Sequence, residues 1–206
     1  MKAKSANSTH KNKLQHHMYS VKAGRFFKLD GPVEKQMSIA FEFDDDIVQY
    51  KAQPRSFFNT TEDATWHRYT PDWAVRIRNG EAFYVEGKDE KSASYATTQN
   101  KYYQHRSFIL REYGTKLELW TPARYSQARF NNAQFLYSYL RQPVSESAKR
   151  MLKSINSKQI SFAELRAHVI NSNLDLSQAF ILAAHQTCRW NMENPLTNDT
   201  LMEIQP

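Results

Sequence analysis

The fold of this chain is decided by the stretch Tyr69–Lys88, which reads YTPDWAVRIRNGEAFYVEGK. The segments 66–77 and 81–88, which overlap its two halves, are rich in β-branched and aromatic side chains, as is typical of β-strands. Between them lies Arg78-Asn79-Gly80, and an Asn-Gly pair between two such runs is a strong hairpin signal. The stretch is therefore predicted to form two adjacent antiparallel strands.

The length of the connecting loop decides which side chains of the two strands share a face. A two-residue turn would set Asp72 and Glu86 on opposite faces of the hairpin. A three-residue loop, with Gly80 in the left-handed conformation, pairs Ile77 with Glu81 and places Asp72 opposite Glu86. We predict the three-residue loop, and with it two carboxylates on one face.

Asp72, Glu86 and Lys88 have the chemical character that metal-dependent hydrolysis of a phosphodiester needs. Two carboxylates on adjacent strands can share a divalent cation, which prefers several hard oxygen ligands. Lys88 follows Glu86 by two residues and so lies on the same strand face, where it can bind a phosphate or orient a water. The alternative is that these residues are the solvated charges of an ordinary surface hairpin, since the pattern alone is only moderately specific.

Residue patterns on either side of the hairpin predict an α/β fold, a mixed sheet flanked by helices. Gly31-Pro32 opens a helix over 33–43, because proline suits a first turn and apolar residues then recur at helical spacing. The further predicted elements are a strand over 47–53, a helix over 99–113 that Gly114 ends, a strand over 116–121, and a helix over 126–141 with Phe135 facing inward.

The chain is predicted to divide into three parts. Residues 1–24 are basic and polar and predict a flexible arm, residues 25–143 form the α/β domain, and residues 144–206 form a small domain. In the last part, helical patterns over 146–155, 162–171 and 176–187 precede two strand-like pieces near 188–192 and 200–204. Three helices and a hairpin are the parts of a winged helix.

The 206 residues have a formal net charge of +7, which suggests a polyanionic partner, usually nucleic acid. Ordinary solubilising charge is the alternative. The distribution is uneven, since residues 31–90 have twelve Asp and Glu against seven Lys and Arg, whereas residues 91–150 have three against ten. A nucleic-acid enzyme needs this contrast between carboxylates that hold a cation and basic flanks that hold phosphates.

Cysteine content and hydropathy indicate the cellular compartment of the protein. Cys188 is the only cysteine, which excludes an internal disulfide and a cysteine zinc cluster. No apolar run approaches the roughly 18 residues that cross a membrane, and the basic N-terminus has no apolar core of a secretory signal. We expect a cytoplasmic protein without membrane contact.

Four basic residues are candidate DNA contacts. Lys101 and Arg106 lie on the predicted helix 99–113, and Lys22 and Arg25 lie near the basic N-terminal stretch. Cations in these positions can contact phosphates. For the helix, an equally supported alternative is that its Tyr and Phe residues pack inward and its basic face is merely solvated.

Several motifs lie within residues 34–88 in a characteristic order. They are Glu34-Lys35-Gln36-Met37-Ser38, Phe41-Glu42-Phe43-Asp44, Val48, Gln53-Pro54, Tyr69-Thr70-Pro71-Asp72-Trp73 and Val85-Glu86-Gly87-Lys88. Their order and spacing resemble those of the TnsA endonucleases, transposon nucleases of the PD-(D/E)xK type. Weaker similarity continues over residues 117–140.

This resemblance implies a restriction-endonuclease-like fold and a metal-dependent DNA endonuclease. The catalytic set of the family matches Glu34, Asp72, Glu86 and Lys88, and the implied ligands of Mg²⁺, for which Mn²⁺ can substitute, are Asp72, Glu86 and Glu34, helped by the carbonyl of Gly87. From its spacing alone, Glu34 would be a solvent-facing glutamate stabilised by the helix dipole.

The resemblance also implies partners. The expected substrate is double-stranded DNA at transposon ends, cut on the 5′ strands, while a TnsB-like DDE transposase processes the 3′ strands and a TnsC-like AAA+ ATPase regulates both. Residues 144–206 would correspond to the partner-binding domain, and they are few. The alternatives are a stand-alone restriction or repair endonuclease and a non-catalytic DNA-binding adaptor.

Overall fold

The structure is a computed structural model that describes residues 15–60 and 66–205. The strands in these ranges are β1 (His16–Ser20), β2 (Arg25–Leu29), β3 (Ile47–Ala52), β4 (Phe57–Thr60), β5 (Trp66–Tyr69), β6 (Trp73–Ile77), β7 (Ala82–Gly87), β8 (Leu117–Trp120), β9 (Gln159–Ser161), β10 (Cys188–Arg189) and β11 (Leu201–Ile204). The α-helices are α1 (Pro32–Glu42), α2 (Glu90–Ser94), α3 (Ala96–Tyr113), α4 (Gln127–Leu140), α5 (Glu146–Ser154), α6 (Phe162–Asn171) and α7 (Ser177–Ala184). None of these helices is both long and apolar enough to span a bilayer.

A four-stranded mixed sheet lies at the centre, in the order β3-β6-β7-β8. Strand β6 is antiparallel to both β3 and β7, and β8 is parallel to β7. The parallel pairing is possible because α3 carries the chain back between these two strands. The predicted α/β class, a mixed sheet flanked by helices, is confirmed.

Helix α1 covers one face of this sheet. It begins as predicted, with Gly31 in extended conformation and Pro32 in the first turn. The buried ring of Phe41 meets the rings of Trp73 and Trp120 edge-on, with centroids 5.2 and 5.8 Å apart. Edge-to-face contacts of this kind stabilise the packing in addition to the burial of apolar area.

The opposite face is covered by α3 and the β4–β5 hairpin, but only on its β7–β8 side. Phe57, Phe108, Ile109 and Leu117 form a second, smaller hydrophobic cluster there. Gly114, with a φ of 63°, ends α3 in the predicted way. On the β3–β6 side of the same face the exposed residues are Gln49, Lys51, Arg76 and Ala82.

Strands β1 and β2 pair as an antiparallel hairpin, from His16 opposite Leu29 to Ser20 opposite Arg25. The prediction of a flexible arm over 1–24 is therefore wrong for residues 16–24. The physical reason is burial, because Met18 on β1 is 3% exposed and belongs to the main core. Residues 1–14 of the predicted arm lie outside the described residues.

The prediction that Lys22 contacts DNA is also wrong, because its ammonium is bound within the fold. Lys22 Nζ donates hydrogen bonds to the carbonyl oxygens of Phe41 (2.6 Å), Asp44 (2.5 Å) and Ile47 (2.5 Å). These carbonyls lie at or beyond the last turn of α1, where a cation is stabilised. Burial lowers the pKa of Lys22 to about 8, against the opposing effect of the Glu42 and Asp44 carboxylates.

Residues 144–205 form α5, α6 and α7 with a three-stranded sheet in the order β10-β11-β9. The three helices lie close to the predicted ranges, whereas β9 was not predicted. Helix, strand, two helices and two further strands follow one another in the order typical of a winged helix.

Helix α4 joins the N-terminal and C-terminal parts in one hydrophobic core. It contacts both α1 and α7, and its residues Ala133 and Leu136 are fully buried in a cluster that includes residues of both parts. Phe135 was predicted to face inward but is 50% exposed, since it lies on the neighbouring side of the helix. Residues 141–145 connect α4 to α5, and the core continues across this connection.

Asn132 on α4 is a buried polar residue on which we base a stability prediction. Its Nδ2 donates to the carbonyls of Met192 (2.9 Å) and Asn194 (2.8 Å), and its Oδ1 accepts from the Leu196 amide (3.2 Å). Asn132→Ala should lower the free energy of unfolding by roughly 2–3 kcal/mol, because buried backbone groups lose their partners. Urea unfolding measures the change.

The neighbouring residue offers a matched control. Asn131 is exposed and bonds only Gln127 on its own helix among the described contacts. Asn131→Ala should alter stability by no more than about 0.5 kcal/mol. Equal effects of the two substitutions would contradict the role of Asn132.

Cys188 is predicted to be chemically inert in the folded protein. It is fully buried, and burial raises the pKa of its thiol from 9.0 to about 12. Since the thiolate is the reactive form, iodoacetamide should modify native protein far more slowly than urea-unfolded protein. The raised pKa contributes stability that is fully present below pH 9 and is lost as the pH rises toward 12. Equal alkylation rates in both states would show that the thiol is accessible.

Candidate active site

The β6–β7 hairpin has the predicted three-residue loop. Trp73 pairs with Val85, and the pairing continues to the Ile77 amide, which donates to the Glu81 carbonyl at 2.9 Å. Gly80 has a φ of 91°, in the region that only glycine adopts easily. The predicted register is thereby confirmed.

This register places Asp72 opposite Glu86, one residue beyond the Trp73–Val85 pair. The two side chains therefore share a face of the sheet. Their side chains are 18% and 17% exposed. Lys88 Nζ lies 2.5 Å from Glu86 Oε1 and 4.0 Å from Asp72 Oδ2. Three of the four predicted catalytic residues are thus brought together.

Gly87, between Glu86 and Lys88, is fixed by close packing. Its amide donates to Asp72 Oδ2 at 2.7 Å, and a Cβ atom at this position would lie 2.6 Å from the ring of Trp73. Glycine leaves room for this ring, whereas any side chain at residue 87 would collide with it. Its amide also holds the Asp72 carboxylate in place.

The Lys88 ammonium is surrounded by oxygen atoms, since it also donates to the Gly87 carbonyl at 3.0 Å. Two carboxylates and a carbonyl around one positive group form a set of hard oxygens of the kind that Mg²⁺ prefers. Across the described residues, no three His, Cys, Asp or Glu side chains are grouped closely enough to hold a metal ion. The oxygens that this site could offer to a divalent cation are those of Asp72, Glu86 and the Gly87 carbonyl.

Glu34 is not gathered into this group as a third ligand. Its Oε2 accepts a hydrogen bond from the Asp30 amide at 3.1 Å, next to the start of α1. Its negative charge nevertheless contributes to the raised pKa of both Asp72 and Lys88. Glu34 thus lies within electrostatic range of the site, and its predicted catalytic role stays a prediction.

Gln53 connects Asp72 to the start of α1. Its amide donates to the Asp72 carbonyl at 2.8 Å, and its side-chain amide donates to Asp30 Oδ2 at 3.0 Å. Gln53 has a φ of 43°, a conformation that costs a non-glycine residue energy. Sequence reasoning could give this residue no chemistry, and the structure assigns it to positioning the Asp72 backbone.

The pKa of Asp72 is shifted by its surroundings. Burial, followed by the nearby charge of Glu86, raises the pKa of Asp72 to about 7, against the opposing effects of Lys88 and the Gly87 amide. For Lys88, burial opposes the charged form, but Glu86 and Asp72 outweigh it and raise the pKa of the ammonium. A site of this kind is stabilised by additional positive charge.

Tyr69 is a site residue that sequence reasoning missed. Its hydroxyl donates to Glu86 Oε2 at 2.7 Å, and its ring stacks on His105 of α3 with centroids 3.8 Å apart and planes 7° from parallel. We had predicted one strand over 66–77, but the chain breaks between β5 and β6. Pro71 was the available signal for that break.

The candidate DNA contacts have different positions. Lys101 lines a cavity of about 300 Å³ beside Glu86 and Lys88, whereas Arg106 is exposed farther along α3. Helix α3 also packs Phe108 and Ile109 inward, so its apolar side is part of a hydrophobic cluster while Lys101 borders the site. Arg25 is exposed on β2, away from this cavity.

Comparison with known proteins adds no assignment. No family model matches this chain, and no curated protein matches it.

Tyr69→Phe tests whether the hydroxyl positions Glu86. The substitution keeps the ring stack on His105 and removes the hydrogen bond. Affinity for Mn²⁺, measured by isothermal titration calorimetry, should fall by about 10–100-fold, the usual effect of losing a group that orients a metal ligand. The melting temperature should change little.

Tyr102→Phe is the matched control. Tyr102 borders the same cavity, but its hydroxyl donates to the Leu117 carbonyl at 3.1 Å. Its loss should leave Mn²⁺ affinity unchanged. A similar fall in both variants would attribute the effect to the cavity in general and not to Glu86.

Proposed function

We propose that this chain is a metal-dependent DNA endonuclease. The observation that carries the proposal is the convergence of Asp72, Glu86, the Gly87 carbonyl and Lys88 on one sheet face. Oxygen donors for a hard cation together with a lysine for the phosphate are the groups that phosphodiester hydrolysis requires. The neighbouring Lys101 and the net charge of +7 support a polyanionic substrate.

Each residue has a task in this proposal. Asp72, Glu86 and the Gly87 carbonyl hold Mg²⁺, or Mn²⁺ in its place, and Tyr69 orients Glu86. The bound cation supplies activation of a water and neutralisation of charge that develops on the phosphate. Lys88, once drawn from Glu86 to the substrate, binds the scissile phosphate or orients the attacking water.

The more specific proposal is cleavage of the 5′ strands at transposon ends by a cytoplasmic enzyme. It rests on the resemblance of residues 34–88 to TnsA endonucleases. In this proposal a TnsB-like transposase cuts and joins the 3′ strands, and a TnsC-like AAA+ ATPase regulates both enzymes. The winged-helix-like residues 144–206 supply the partner contact, since they are nearly neutral, with four Lys and Arg against five Asp and Glu from residue 151 onward.

A stand-alone restriction or repair endonuclease would use the same site without partners. Labelled transposon-end DNA distinguishes the two, when it is incubated with Mg²⁺ and with or without the transposase and the ATPase. Cleavage of 5′ strands only when both partners are present supports the transposon enzyme. Equal cleavage of any duplex by the chain alone supports the stand-alone nuclease.

Asp72→Asn and Glu86→Gln should each abolish cleavage that depends on Mg²⁺ or Mn²⁺, because each removes a charged oxygen donor. Binding to duplex DNA should persist. Stability should not fall, since each substitution relieves repulsion between two shielded carboxylates. Gel assays of cleavage and binding, with thermal unfolding, measure the three effects.

Glu81→Gln is the matched control at the other end of the same hairpin. Glu81 also pairs with a lysine, Lys116, at 2.5 Å, but this pair is more exposed and lies at the loop end. Its loss should leave cleavage unchanged. Full activity of Asp72→Asn, or loss of activity in all three variants, would refute the assigned site. A folded wild-type protein that never cuts DNA under any of these conditions would favour the non-catalytic adaptor.

A further inference from the structure

A cavity of about 370 Å³ lies on the uncovered β3–β6 side of the sheet, and its lining includes three cations and three alanines. The cations are Arg25 of β2, Lys51 of β3 and Arg76 of β6. Ala74 and Ala82 form part of the floor. These five residues are called the basic trough below.

Strand register shows that the basic trough and the candidate active site share one face. Arg76 pairs with Ala82, which places them in one row across the sheet. Ala74 pairs with Lys51 and forms the next row. Asp72 is two residues before Ala74, and alternate residues of a strand point to the same side. The trough therefore runs along β6 directly to Asp72.

The charge of the trough has one sign. None of its lining residues is acidic, and in the described part of the chain Arg25, Lys51 and Arg76 take part in no salt bridge. A second cavity on the molecule is different, since its lining combines cations with the acids Asp46, Glu81 and Glu118. Three cations that no described carboxylate pairs with, around a concave floor, suit an external anion.

We propose that the basic trough binds the phosphate backbone of duplex DNA and leads the duplex to Asp72 and Glu86. This inference rests on the proposed nuclease function and extends it by naming the surface that holds the substrate. Arginine presents a planar set of donors that matches phosphate geometry. The alanines leave room for a backbone to approach the sheet.

The dimensions of the trough suit this ligand. Arg76 is the fourth residue after Asp72, which corresponds to roughly 13 Å along the strand. Duplex DNA has a negative charge about every 1.7 Å of its axis. Several phosphates can thus face the trough while one lies at the two carboxylates.

The test compares two triple variants with equal changes of net charge. Arg25→Gln/Lys51→Gln/Arg76→Gln removes the cations of the trough. Lys149→Gln/Arg150→Gln/Lys153→Gln removes three exposed cations of α5. Fluorescence anisotropy with a labelled duplex of arbitrary sequence, in EDTA and at several salt concentrations, measures binding without cleavage.

The trough variant should bind at least about tenfold more weakly, and the slope of log K against log salt should decrease by about 0.9 for each lost phosphate contact. The α5 variant should bind like wild type. Equal weakening of both variants, or wild-type binding by the trough variant, would overturn the proposal.

A substitution that tightens DNA binding cannot be explained by misfolding of the variant. Ala82 is exposed in the trough, so Ala82→Lys should tighten binding and steepen the salt slope, and Ala82→Glu should weaken binding. Opposite effects at one position support the trough. Identical affinities of both variants would overturn it.

The same proteins are also assayed for cleavage, so that a failure of the trough proposal can be distinguished from a failure of the proposed nuclease function. If wild type cuts DNA with Mg²⁺ and the trough variant binds and cuts equally well, the trough is refuted and the nuclease stands. If wild type never cuts, even with the transposase and the ATPase present, but only the trough variant loses binding, the trough stands as a DNA-binding surface and the nuclease is refuted.

Discussion

The candidate site depends on the contact between the ring of Trp73 and the backbone of Gly87. A side chain at residue 87 would collide with that ring at 2.6 Å, and the ring is itself held by a hydrogen bond from Trp73 Nε1 to Ser38 Oγ of α1 at 3.0 Å. Because Asp72 precedes Trp73 and Glu86 precedes Gly87, this packing lies directly beside the two carboxylates. A tightly packed core thus adjoins the polar groups of the candidate site.

Positively charged groups surround these two carboxylates. Next to them lies the Lys88 ammonium, which neutralises part of their charge. On one side Lys101 borders the site, and on the other side the basic trough follows β6. Because an acidic centre lies between basic flanks, one surface can attract both a cation and a polyanion. Acidic and basic groups at opposite ends of a protein could not bring these two ligands together.

Local signals in the sequence predicted the hairpin well. Asn79-Gly80 indicates the turn, and the two-residue period of the strands allows only one register that places Asp72 and Glu86 on the same face. Global charge counts predicted less. The acids of residues 31–90 suggested a metal-binding block, yet Glu42 accepts hydrogen bonds from Ser20 and Tyr50, and Asp44 accepts one from Tyr125. Such partners are distant in sequence, so composition cannot reveal them. The capping role of Lys22 and the Tyr69–Glu86 bond were missed for the same reason.

Helix α4 has a practical consequence for anyone who rearranges this gene. Its Leu136 lies in a core that draws on both parts of the chain, so a cut at residues 143–145 would expose apolar surface on each fragment. Fragments with such surfaces tend to aggregate or to exchange segments between copies. Reporter fusions are better placed at the chain ends than at residues 143–145, and split-protein designs should avoid this loop. A loop between two helices does not have to be a boundary between folding units.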